Sequence, residues 1–142
     1  MYTKLDNLIS EYQYTIDFWY DYGCNEGREI ITKFNESDWN ELQHSLNNRS
    51  LEWKEKLVYI LDTNCNIREI EILFLIMETE SGELFISCID TLRSFETKMI
   101  LEYLHQNQKH DIINRIIKLS NKNGEASRKV LNNFLEYLRI IT

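Results

Sequence analysis

Not one of the 142 residues is proline. Average usage of about 5% would give roughly seven, so the chain avoids the residue that removes a backbone donor and breaks helices. Only four glycines are present, and no stretch alternates apolar and polar residues for long enough to make a strand. Such a chain folds as many helices joined by short connections. The expected class is all-α, as a single domain over residues 1–142, because this length suits one core and is short for two.

Apolar spacing and capping signals place the helices. Leu5, Leu8, Ile9, Tyr12, Ile16 and Trp19 form one stripe of a helix over 5–22. A weaker helix over 26–34 is interrupted by Gly23 and Gly27. Asn35 and Asp38, three apart, read as a capping pair for a helix through Trp39, Leu42 and Leu46. Ser50 caps the helix of Leu51, Trp53, Leu57, Val58, Ile60 and Leu61. Asn66-Ile67-Arg68-Glu69 is a capping box. Helices over 83–94, 97–107, 111–121 and 125–140 follow, the first opened by Ser81 or Gly82. The left-handed turn before the last comes from Asn123-Gly124.

From residue 50 these helices pair at a period of roughly 27–32 residues. Val58-Tyr59-Ile60-Leu61 can be laid on Ile89-Asp90-Thr91-Leu92, and more loosely on Ile116-Ile117-Lys118-Leu119. Such a period suggests a HEAT-like array of about three helix pairs with N-terminal capping helices; an irregular helical bundle is the alternative.

The most apolar segment, EIEILFLIMETE at 69–80, carries Ile70, Leu73, Phe74 and Met77 on one helical face. Ile72, Leu75 and Ile76 lie nearly opposite. A helix apolar on two sides packs on two sides, as an inner helix with Leu73 in the core. Glu69 and Glu71 suit its N-terminal dipole. Glu78 and Glu80 stand at the negative end, where the dipole disfavours acids by up to about 1 kcal/mol each. That conflict suggests a partner, so that Glu78→Gln with Glu80→Gln would leave the fold unchanged or slightly more stable. With Glu71, Glu83, Ser87 and Asp90 these residues form a candidate acidic ridge. A second candidate surface is Tyr14, Asp17, Phe18 and Asp21, aromatics among acids opposite the buried stripe of the first helix.

The charge distribution agrees with a basic partner. Residues 1–104 hold 20 Asp/Glu against 9 Lys/Arg, a balance of −11, whereas residues 105–142 hold 3 against 7, a balance of +4. The acidic part repels nucleic acid and anionic membrane. Arg115, Lys118 and Lys122, with Arg128 and Lys129 behind them, form a basic stripe that could touch phosphate but reads better as a solvated face or a charge partner for another subunit. Cys24, Cys65 and Cys88 are odd in number and lack C-x-x-C spacing, as expected of reduced, packed thiols in a cytoplasm. The sequence shows neither a signal-peptide core nor an apolar run of the roughly 20 residues a membrane span needs. His44, His105 and His110 are scattered, and H-E-x-x-H, G-x-S-x-G, P-loop and G-x-G-x-x-G motifs are all missing. Catalytic residues, metal ligands and cofactors are therefore all expected to be none.

The helix Asp38-Trp39-x-x-Leu42, the helix Trp53-Lys54-x-Lys56-Leu57-x-Tyr59-x-Leu61, and the acidic helix pair ending in Asp90-Thr91-Leu92-Arg93-Ser94-Phe95 carry a further signal. Over about residues 35–95 the chain resembles the all-helical immunity proteins of bacterial contact-dependent growth inhibition and related polymorphic toxin systems. The resemblance implies a cytoplasmic inhibitor without chemistry of its own. It would bind a cognate toxin domain, commonly a basic nuclease, and occlude its active or substrate-binding surface. It implies no direct nucleic-acid or membrane contact. The rival expectation is a HEAT-like protein-interaction adaptor without a toxin partner.

Overall fold

The computed structural model describes residues 1–11, 15–107, 109, 111–121 and 124–139. All regular structure among them is helical. In chain order the α-helices are α1 (Tyr2–Glu11), α2 (Ile16–Phe18), α3 (Cys24–Thr32), α4 (Glu36–Ser45), α5 (Leu51–Ile60), α6 (Ile67–Thr79), α7 (Glu83–Leu92), α8 (Thr97–Gln106), α9 (Asp111–Ser120) and α10 (Glu125–Arg139). The all-α expectation holds, and most predicted boundaries agree to within one or two residues.

The local signals act as their chemistry predicts. Asn35 accepts the Asp38 amide while Asp38 accepts that of Asn35, both at 2.9 Å. Asn66 and Glu69 repeat the box two helices later, at 3.0 Å each way, and Ser50 takes the Trp53 amide of the helix between. Glu69 does more than cap. Fully buried, it also accepts the Asn64 amide, so one carboxylate holds the amides on either side of Cys65, whose φ is +49°. That left-handed residue ends the α5–α6 connection without a glycine. Burial pushes the Glu69 carboxyl up, while the amides of Asn66, Asn64 and Thr63 pull it back. The expected left-handed turn at Asn123-Gly124 rests on Asn123, which lies outside the described residues. Among the described residues a left-handed glycine stands at Gly82, with φ +68°, where α7 begins.

The first predicted helix is divided. α1 ends at Glu11, and Thr15 is extended, with ψ 158°, before a new helix starts at Ile16. Tyr12, the expected midpoint of the stripe, lies outside the described residues. From Ile16 the chain runs through α2, a π-helical turn at Trp19–Gly23, and α3 without leaving helical dihedrals. Gly23 and Gly27 therefore interrupt nothing. A Cβ on Gly27 would stand 3.0 Å from both Ile60 Cδ1 and Trp19 Cη2, so this glycine lets α3 lie close against α5. Gly27→Ala is expected to cost about 1–3 kcal/mol through overpacking. Urea denaturation measures it, and an unchanged midpoint would show that the contact relaxes freely.

α6 is the inner helix its two apolar faces predict. Ile70, Ile72, Leu73, Phe74, Ile76 and Met77 are buried and Leu75 is partly so, and α6 packs against both α7 and α8. Phe74 stacks on Tyr103 of α8 at 5.1 Å. Trp53 is also core, its indole donating to Asp6 Oδ1 at 3.1 Å. α5 packs on α7 and α6 on α8, the stacking a paired array needs, but in the last pair it is α10 that lies along α7.

Candidate partner-binding face

The acids at the end of α6 are answered inside the molecule. Glu80 Oε1 accepts Lys54 Nζ at 2.8 Å, and the Lys54 side chain is only 6% exposed. Glu78 pairs with Lys109. Arg115, from α9, donates to the backbone carbonyls of Met77 and Glu80 and lies 4.6 Å over the Phe85 ring. Three cations from three separate parts of the chain thus supply the positive charge that the C-terminus of α6 lacks locally. This removes the dipole conflict that singled out Glu78 and Glu80. It also corrects the reading of Arg115 as part of a solvated stripe. Arg128 likewise donates to the Ser120 carbonyl at the end of α9. Lys118 and Lys129 are exposed, and Lys122 lies outside the described residues.

The remaining ridge residues divide. Glu71 is half-buried and meets Arg68 at 3.4 Å on its own helix. Glu83 is exposed at the start of α7. Ser87 and Asp90 sit further along α7 and form one wall of a groove of about 330 Å³. Tyr20 and Tyr59 line the same groove, their rings 4.5 Å apart and tilted by 46°. So does Glu55, a half-buried carboxylate one helical turn before Tyr59 that makes no ion pair among the described residues. Val58, Ile86 and Val130 supply the apolar lining.

The first-helix patch adjoins this groove. Asp17 and Asp21 are exposed. Burial, Glu55, Tyr59 and Asp17 together push the Tyr20 hydroxyl above its ordinary pKa, which puts Asp17 within electrostatic reach of the groove. Phe18 is half-buried against Tyr22 at 5.2 Å, and Tyr22, at 65% exposure, is the open aromatic of the segment. Tyr14 lies outside the described residues. Two patches roughly 70 residues apart in sequence thus meet through the Tyr20–Tyr59 contact.

Tyr20, Tyr22, Glu55 and Tyr59 were not legible as site residues. The available signal was Glu55 and Tyr59 at i, i+4 on the side of α5 away from its buried stripe; nothing local ties that side to Tyr20 or Asp90. A groove of similar size lies beside Glu78, His44 and Thr79, but its walls include the Lys54 cation, and Glu78 already has Lys109.

Cys24 and Cys88 are buried and Cys65 is partly so, all as free thiols; burial drives the Cys88 thiol strongly up, which makes it a poor nucleophile. Among the described residues no group of three or more His, Cys, Asp or Glu side chains could hold a metal ion, and no helix is long and apolar enough to cross a membrane. No family model, curated protein or solved structure matches the chain.

Proposed function

We propose that this chain is a bacterial immunity protein that acts in the cytoplasm by binding and neutralising a cognate toxin domain, one with a basic surface such as a nuclease. The observation that carries the reading is the groove between α5 and α7. It combines a carboxylate that makes no ion pair among the described residues, two tyrosine rings and an apolar lining, on a chain of net charge −7. Aromatic anchors contribute most of the energy of many interfaces, and carboxylates around them select a cationic partner. Net charge of −7 steers a basic domain toward this face, and the bound protein then covers the surface on which the toxin would hold its substrate. The resemblance over residues 35–95 is what favours a toxin over other basic proteins.

Co-purification with the polypeptide encoded immediately beside this one tests the proposal, followed by stopped-flow association at low and high salt. The expected result is a stable complex, loss of the toxin's activity, and an association rate that falls about tenfold or more between 50 and 500 mM salt. A neighbouring polypeptide that neither binds nor is inhibited would leave the adaptor role as the better account.

A further inference from the structure

We infer that the groove between α5 and α7 is a receptor for one arginine side chain, inserted by the protein partner; this rests on the reading of the face as a partner-binding surface and adds the chemistry of its anchor. The acids around the groove stand on separate elements. Glu55 is on α5, Asp90 on α7, and Asp17 on the short helix that leads into Tyr20. Among the described residues, the two arginines that touch groove-lining residues are already committed. Arg93 pairs with Asp90 as an exposed i, i+3 contact at 3.4 Å, which is worth little and is easily displaced. Arg28 is held by Asp62 at 2.7 Å and by the Tyr59 carbonyl at 2.9 Å. Glu55 has neither.

The lining selects among cations. Val58, Ile86 and Val130 offer surface for a methylene stem, and the tilted Tyr20–Tyr59 pair brings aromatic surface to the groove for a flat cationic head. Tyr59 already carries a guanidinium on one side, with Arg28 Cζ 5.7 Å from the ring centre. A planar guanidinium can stack on tyrosine and bond a carboxylate through two N–H groups at once; an ammonium is a compact, strongly hydrated charge that does neither as well. A volume of about 330 Å³ lies at the small end for ligand sites, which suits one side chain better than a folded element.

The test is an NMR titration of the full chain with N-acetyl-arginine amide, with the lysine and citrulline amides as controls. Arginine amide is expected to shift the resonances of Tyr20, Glu55, Tyr59, Ile86 and Ser87 saturably, with an affinity at least fivefold above that of lysine amide. Citrulline amide, the uncharged isostere, should shift none of them. Glu55→Gln with Asp90→Asn should abolish the saturable response while leaving the helical circular dichroism spectrum intact. Lysine amide binding as tightly, or an equal arginine response in the double variant, overturns the inference. The two readings fail separately. An arginine response without any toxin partner sinks only the immunity role, whereas a partner that binds the double variant as tightly as wild type sinks only the arginine receptor.

Discussion

Glu80→Ala is expected to lower the stability of the protein by about 2–4 kcal/mol, the reverse of what its place at a helix C-terminus suggests. Its partner Lys54 is 6% exposed, whereas Glu80 itself is 21% exposed. Removing the acid strands a mostly buried ammonium; removing the lysine leaves the more exposed carboxylate, which water solvates better. Lys54→Met should therefore cost less than Glu80→Ala. The double variant Lys54→Met, Glu80→Ala should be more stable than Glu80→Ala alone, since no buried charge is left without a partner. Urea denaturation of the three variants measures this. Equal losses for the two single variants, or a loss under about 0.5 kcal/mol for Glu80→Ala, would mean that Lys54 reaches solvent and the pair is only surface decoration. High salt should not mimic the substitution, because a partly buried pair is poorly screened.

A second large effect centres on Trp19. It is fully buried, and its indole N–H donates to the Lys56 carbonyl at 2.9 Å, tying the π-helical turn to α5. Trp19→Ala should cost about 3–5 kcal/mol as a large cavity opens in the core. The informative measurement is its coupling to Gly27. A methyl at position 27 meets the Trp19 ring at 3.0 Å, so Gly27→Ala should cost much less in the Trp19→Ala background than in wild type. Strictly additive losses would place the overpacking on Ile60 alone.

These two cases mark the limit of what the sequence could specify. The absence of proline, the capping pairs at Asn35/Asp38 and Asn66/Glu69, and the two-faced pattern of 69–80 are written within three or four residues or within one helical period. They specify helices and their starts because a cap or a stripe acts on its own helix, whatever packs nearby. The all-α class and the inner position of α6 follow from them directly. The π-helical turn is different. The 100° projection assumes an unbroken 3.6-residue period, and one wider turn at Trp19–Gly23 rotates every later side chain. That turn, with the close approach at Gly27, converts two apparent helix breakers into interior residues.

The charges show the same division more sharply. Glu78 and Glu80 looked unexplained because helix-dipole reasoning sees only neighbours along the chain. Lys54 is 26 residues away from Glu80, Lys109 is 31 from Glu78, and Arg115 is 35 from the Glu80 carbonyl it bonds. The groove depends on similar distances, since Tyr20, Tyr59 and Asp90 belong to three elements that only packing brings together. Composition determined that the surface would be acidic. Which of those acids are already neutralised, and which still face outward among tyrosines, was decided by tertiary structure alone, because a cation satisfies a carboxylate through space.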